Sequence, residues 1–373
     1  MAILAKNQIS KGSSVSLPRR IARGVRRSLV WLFVRVHSSL DAVFVPLAAR
    51  CRWLSSLYYV MWSRDFAREH QAMLKARLSY ARDLHSPRAG FALLRRSVHR
   101  LEKGLLMRPR REVFGVTYIE EALKCYELIR KTHGDDRSKC SSELNWAHDV
   151  MKKYFEVTAS HEVIDRCRKR FAALPPVCWG SGQKVPYKRD LEKGPSISYD
   201  DFMALAVRRR SVRWFLPKSV DREVIDRAVT LAGQSPSACN RQPFSFRIFD
   251  EPELVKKVIK LPMGTSGFAE NVPVVAVVVG KIGNYSKERD RHLIYIDGSL
   301  ATMAFLFALE SQGLSTCCIN WPDIEEREVG MDHALGLAPD ERPIICIAIG
   351  HPDPDGKVAY SDKKSIDDLR QYN

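Results

Sequence analysis

The chain has 373 residues, of which 45% are apolar, and 60 Lys/Arg against 43 Asp/Glu give a net charge of +17. That length exceeds one usual domain and the apolar share supplies a sizeable core, so two folded regions are expected. The charge excludes an evenly basic protein: residues 1–111 hold 23 Lys/Arg against 5 Asp/Glu, whereas the remainder holds 37 against 38.

Only 4 of the 23 cations in residues 1–111 are lysines, and arginine forks favour phosphate or carboxylate contacts. An anionic membrane surface touched peripherally through residues 1–111 is one expected partner, and nucleic acid is not expected. A solvated basic helical face without a dedicated partner is the alternative. The nine cysteines are odd in number, with no C-x-x-C and no His at metal-ligand spacing. A reducing compartment follows, the cytoplasm or the inner face of its membrane, and no metal is expected.

Residues 1–18 predict a disordered basic tail, and residues 19–173 a basic all-helical region. The apolar run Leu29–Val34 stops at Arg35, and Asp41 and Pro46 interrupt its continuation, so it cannot span a core that needs about 20 apolar residues. An interfacial helix remains open, because Trp31, Leu32, Phe33, Trp53, Leu54, Tyr58, Tyr59 and Trp62 are mixed with arginines. Helical periodicity places 119, 122, 123, 126 and 129 on one face, and 144, 147, 151, 154 and 155 on another. Pro, Gly and Lys then mark residues 174–197 as a linker.

From 198 to 373 the rhythm is mixed. Ser198-x-x-Asp201 opens a helix running to about Arg209, and Asp221–Ala232 is a second. Phe244–Phe249 predicts a strand, Glu251–Lys260 a helix, and the apolar run Val272–Val279 a central buried strand. Leu293–Gln312 is apolar on nearly every side, so it is expected to be enclosed in a core. Leu314–Ile319 and Pro343–Ile349 predict strands, with a helix near Ile324–Leu335 between them. Adjacent Cys317 and Cys318 should point to opposite faces. The fold class is α+β, a central sheet flanked by helices and preceded by the all-α N-terminal region.

Two segments carry chemistry. Arg209-Arg210-Ser211-Val212-Arg213 is a compact anion grip at a helix C-terminus, the unfavourable end of the dipole for a phosphate, so side-chain charge has to do the binding. Pro236-Ser237-Ala238-Cys239-Asn240-Arg241-Gln242-Pro243 is a rigid polar turn, with small residues that allow a flat ring to approach and amides that both donate and accept.

In order and spacing these segments resemble the nitroreductase family. The resemblance runs from Tyr199 to the C-terminus: R-R-S-x-R-x-F from Arg209, P-S-x-x-N-x-Q-P from Pro236, Asp297-Gly298 ahead of the long helix, Ile319-Asn320-Trp321, Gly350-His351-Pro352, and Ser361 to Lys364. It implies FMN as cofactor, with Arg209, Arg210, Ser211 and Arg213 on the phosphate and the O2/N1 side of the ring. Pro236, Ser237 and Ala238 would line the ring, Asn240 and Gln242 would support it, and Ile319, Asn320 and Trp321 would present backbone N–H near N5. Lys363 stands where the family often has an arginine, which keeps the charge and loses the fork. Trp321-Pro322 stands where many members have glycines, and is expected to narrow the space above the flavin. No side chain is expected to perform covalent chemistry.

The resemblance further implies a homodimer, NADH or NADPH as reductant, and a small-molecule acceptor such as a quinone or nitro compound. Two other readings remain: a protein that binds or modifies flavin itself, and a membrane-surface scaffold with a non-catalytic fold.

Overall fold

The computed structural model describes residues 36, 39–83, 90–133, 142–175 and 184–373. The expected tail, the run Leu29–Val34 and part of the expected linker lie outside the described residues. The chain forms two compact units, Met1–His70 and Gln71–Asn373. The first holds helices α1 (Ser39–Ala48) and α2 (Arg52–Tyr58), the latter continuing as a π-helical turn, Tyr59–Ser63. Helix α3, Ala67–Asp83, follows.

Helices α4 (Gly90–Leu106), α5 (Ile119–His133), α6 (Ser142–Val157) and α7 (Glu162–Ala172) share one apolar core. Its members include every position assigned from periodicity: 119, 122, 123, 126 and 129 from α5, and 144, 147, 151, 154 and 155 from α6. The helical reading fails at 107–118, an irregular connection between α4 and α5.

The compact units divide at His70/Gln71, and helices ahead of 174–197 bury apolar surface against the sheet domain. Ala72, Met73 and Ala76 of α3 share a core with Ile282, Tyr285 and Ile294, and α4 packs on the turn Ala238–Asn240. Residues 187–197 are exposed and without regular structure.

The sheet domain begins with α8 (Tyr199–Arg208), capped by Ser198, whose hydroxyl accepts from the Asp201 N–H at 3.1 Å. Next come α9 (Arg222–Ala232), β1 (Phe244–Phe249), α10 (Pro252–Ile259) and β2 (Val274–Lys281). Then follow α11 (Leu293–Ser311), β3 (Ser315–Asn320), α12 (Glu325–Leu335), β4 (Glu341–Gly350) and the short α13 (Ile366–Leu369). The strands form an antiparallel sheet in the order β1-β2-β4-β3.

Central strands must satisfy both faces, which explains the unbroken valines of β2. Val275, Val277 and Val279 join Cys346, Ala348 and residues of α10 and α12 in one core. Val274, Ala276 and Val278 join Ile347, Ile349 and residues of α9 and α11 in the other. Cys317 packs in the first and Cys318 against the second, as alternation requires.

Helix α11 lies on β2 where Gly280 leaves room. A Cβ there would fall 2.8 Å from Ile294 Cβ and 3.0 Å from Ile344 Cδ1, and the first of these cannot swing aside. Gly280→Ala should therefore lower stability by about 1–3 kcal/mol. Urea denaturation of the purified variant checks this.

Candidate functional site

The anion grip is held in an extended segment by the ends of two strands. Ser211 bridges Thr316 of β3 in parallel, with Val212 N–H donating to the Thr316 carbonyl at 3.0 Å, and Phe215 bridges Pro352 beyond β4. Asn271 Oδ1 accepts from Phe215 N–H at 2.9 Å. Helix α8 is fastened to the C-terminal turn of α11 by the Arg208–Glu310 ion pair at 3.1 Å, Glu310 being buried.

Along this bridged segment the Arg209 Nε and the Thr316 Oγ1 are buried without a hydrogen-bond partner. Unmatched buried polar atoms are costly. Arg210 Nη1 donates to the Tyr360 carbonyl at 3.3 Å, which brings the C-terminal tail beside the grip and Lys363, exposed, to within three residues of it. Arg213 is exposed, with its guanidinium 6.0 Å from the Phe268 ring centre. Two forks, a hydroxyl and orphaned donors suit a phosphoryl group.

The polar turn lies elsewhere. Cys239, Asn240 and Gln242 have φ of 53°, 52° and 49°. Left-handed backbone at non-glycine residues costs on the order of 1–3 kcal/mol each and persists only where the surroundings impose it. Here several contacts do so. Ala238 N–H donates to Asp297 Oδ2 at 3.0 Å, Gln242 N–H to Ser237 Oγ at 3.0 Å, and Gln242 Nε2 to Asn240 Oδ1 at 3.1 Å. Arg95 of α4 donates from Nε to the Arg241 carbonyl at 3.2 Å while Nη1 pairs with Glu143 of α6 at 2.9 Å. Pro236 is exposed at the head of the turn. Asn240 and Gln242 line a cleft of about 340 Å³ whose other wall is Arg95, Glu143, Trp146 and Lys184.

Three supporting residues take their roles from the structure. Asp297, at the start of α11, accepts from both Ala238 N–H and the Tyr285 hydroxyl, each at 3.0 Å. Arg241 is buried, its guanidinium 4.8 Å above the Tyr285 ring. Burial, then the Asp297 charge, holds the Tyr285 phenol far above the ordinary range, so it stays a donor. The charged Arg241 inside an otherwise small and amide-rich motif was the available signal.

Asp297 tethers the turn to one end of α11 and Glu310 tethers the grip to the other. At 1.5 Å per residue these anchors stand roughly 20 Å apart, so one chain does not bring the two motifs together. Ile319 and Asn320 end β3, about 13 Å along the strand from Thr316, so the grip and this backbone lie on one path. Asn320 is exposed. Trp321 follows directly after β3. Its ring is buried in the core, and its Nε1 donates to Glu328 Oε1 at 2.8 Å, which in turn pairs with buried Arg342 at 3.1 Å. The ring therefore narrows nothing on the outer side of β3.

Burial raises the Asp297 carboxyl above its ordinary 3.8, with the bonds from Ala238 and Tyr285 lowering it in part. A raised folded value means that its contribution to stability is full below the unfolded value and is lost as pH rises through the folded one. Asp297→Asn should remove this component. Its stability, followed by urea denaturation, should fall less than that of the parent as pH rises above the ordinary carboxylate range.

The Nitroreductase family model matches residues 206–265 and 261–351. Human iodotyrosine deiodinase 1 is 22% identical over 269 residues, covering 65% of this chain and 90% of the deiodinase. A Bacillus subtilis protein provisionally named as an NAD(P)H nitroreductase is 24% identical over 213 residues, covering 47% of this chain and 99% of its own. Among solved structures, an FMN-dependent nitroreductase from Clostridium difficile R20291 is 20% identical, with a TM-score of 0.40, covering 46% of this chain and 98% of that one. Residues 206–351, in the C-terminal half of the chain, thus form a nitroreductase-family domain, preceded by an all-helical region.

Proposed function

We propose that the protein is an FMN-dependent oxidoreductase, working as a symmetric homodimer, that takes hydride from NADH or NADPH and delivers it to a small acceptor such as a quinone or nitro compound. The observation that carries this reading is the arginine–serine segment 209–213 bridged to β3, with two buried, unmatched groups along it, Arg209 Nε and Thr316 Oγ1. A phosphate monoester answers that donor set. Lys363 adds charge from the neighbouring tail. Bound flavin would supply the two-electron hydride chemistry. Arg209 and Ser211 hold the phosphate end, Arg213 sets positive charge on the pyrimidine side, and the backbone of Ile319, Asn320 and Trp321 presents polar groups to the ring.

The partner subunit supplies the turn. Helix α11 is apolar on all sides, yet its own chain leaves Ile296, Leu300 and Met303 exposed at 49%, 45% and 37%. These positions form one stripe, i, i+4 and i+7; α9, which packs on α11, leaves Leu231 exposed, and Phe202 of α8 tilts against Phe307 with ring centres 5.2 Å apart. A two-fold axis through such a stripe pairs the two α11 helices antiparallel. The Pro236–Gln242 turn at one end of one helix then meets the Arg209–Arg213 grip at the opposite end of its mate. The space above the flavin is left to Pro236, Ser237 and Ala238 across the interface, with Asn240 and Gln242 behind them.

A second reading rests on the deiodinase relatives, whose similarity extends over 65% of this chain in the human case: reductive removal of halide from a halogenated phenol at the same site. Anaerobic turnover with NADH and NADPH against quinones, nitro compounds and 3-iodotyrosine separates the two, with iodide release marking the second. Bleaching of the flavin band by NAD(P)H and its return with acceptor supports oxidoreductase function. Irreversible loss of the band contradicts it.

Arg209→Ala removes charge-assisted bonds of about 1.5–3 kcal/mol each, so FMN should bind about 10- to 100-fold more weakly. Pro236→Trp should block the site from the other subunit. Co-expressing the two variants should restore about a quarter of wild-type FMN sites, since half of random dimers are mixed and each mixed dimer keeps one intact site. No recovery would place both motifs in one subunit's site. Leu300→Glu should give a monomer that retains no FMN, measured by light scattering and flavin absorbance.

A further inference from the structure

The α1–α2 hairpin holds several polar contacts on its inner side. The Asp41 carboxylate of α1 accepts from the Tyr58 hydroxyl and from Trp62 Nε1, each at 2.8 Å, and Ser55 Oγ of α2 donates to the Ala48 carbonyl at 2.8 Å. Phe44 and Trp62 meet edge to face at 5.1 Å between the same helices. The outward surfaces are apolar. Leu40, Val43 and Leu47 recur along α1, and Trp53, Leu57 and Met61 along α2 and the π-helical turn, with Trp53 68% and Met61 71% exposed. A water-facing hairpin would reverse this arrangement.

Charge selects what covers it. Residues 1–70 contain twelve Lys/Arg and three acids, Asp41, Asp65 and Glu69, and Asp41 is engaged inside the hairpin. A second copy would oppose like charges, whereas an apolar layer edged with anionic groups complements both features. Exposed Arg50 and Arg52 flank the turn between the helices, and exposed Arg64 closes the far end. Helix α1 is about 15 Å long, half of the roughly 30 Å hydrocarbon core. Cations at both ends of so short a hairpin hold it in the plane of the headgroups.

We propose that the α1–α2 hairpin docks flat on an anionic phospholipid bilayer, with Trp53, Leu57 and Met61 entering the acyl boundary and arginines 50, 52 and 64 meeting lipid phosphates. This is independent of the flavin site, which lies wholly within Gln71–Asn373.

The test is co-sedimentation of the full-length protein with vesicles of phosphatidylcholine alone and of an equimolar mixture with phosphatidylglycerol. Partition to the mixed vesicles should be at least about tenfold stronger and should weaken with added salt. The double variant W53E/M61E should lose about tenfold of that partition, with circular dichroism unchanged. The variant R50E/R52E should lose the preference for phosphatidylglycerol. Failure of the wild-type protein to partition, or full partition by both variants, overturns the proposal. So does light scattering in which W53E/M61E splits an oligomer that the parent forms without lipid, which would make the hairpin a contact between copies.

Discussion

Helix α11 imposes the constraint on which the rest of the sheet domain depends. It is nineteen residues long, apolar on all sides, and covers one face of β2 and β4. Its two ends are not equivalent chemically. Asp297 at the start fixes a strained polar turn, and Glu310 at the end fixes the helix that carries the arginine grip. A rigid rod between two polar motifs keeps them apart within a chain, and the same rod, with its outward stripe uncovered, offers the surface through which two chains can bring them together. Stability of the fold and geometry of the proposed site thus rest on one element.

The helices ahead of the domain take part in this arrangement. The turn at 238–242 holds three non-glycine residues in left-handed backbone, and part of what imposes that conformation comes from α4 and α6 through Arg95 and Glu143. Arg95 is largely buried, so its pairing is less screened than a surface ion pair. The cleft between these helices and Asn240–Gln242 lies against the family motif but is walled by residues outside the matched region 206–351. Residues 71–157 therefore shape the surroundings of the site as well as extending the core.

Much of this was legible in the chain. Periodicity located the buried faces of α5 and α6, because a helix with one apolar stripe has one way to bury it. The valine run of β2 announced a strand covered on both faces, and Ser198 announced the start of α8. The α11 reading was incomplete: its apolar pattern predicted enclosure on nearly every side, whereas Ile296, Leu300 and Met303 are exposed. The inward direction of the Trp321 side chain follows a parity that was available, since Cys317, Ile319 and Trp321 alternate onto one side and all three are buried. Its partners Glu328 and Arg342 are 7 and 21 residues further on, and no local spacing marks that pairing. The Pro- and Gly-rich stretch at 174–197 looked like a boundary because composition reflects local backbone, whereas compactness depends on distant contacts such as those of Ala72 and Met73 with Tyr285.

The most direct measurement is sedimentation velocity of the full-length protein with FMN, followed at the flavin's own visible absorbance across a dilution series. A site completed by two subunits predicts that flavin travels only with the dimer, at one per protomer, and returns to the slow free-ligand boundary as the dimer dissociates. Flavin that continues to travel with the monomer would contradict it.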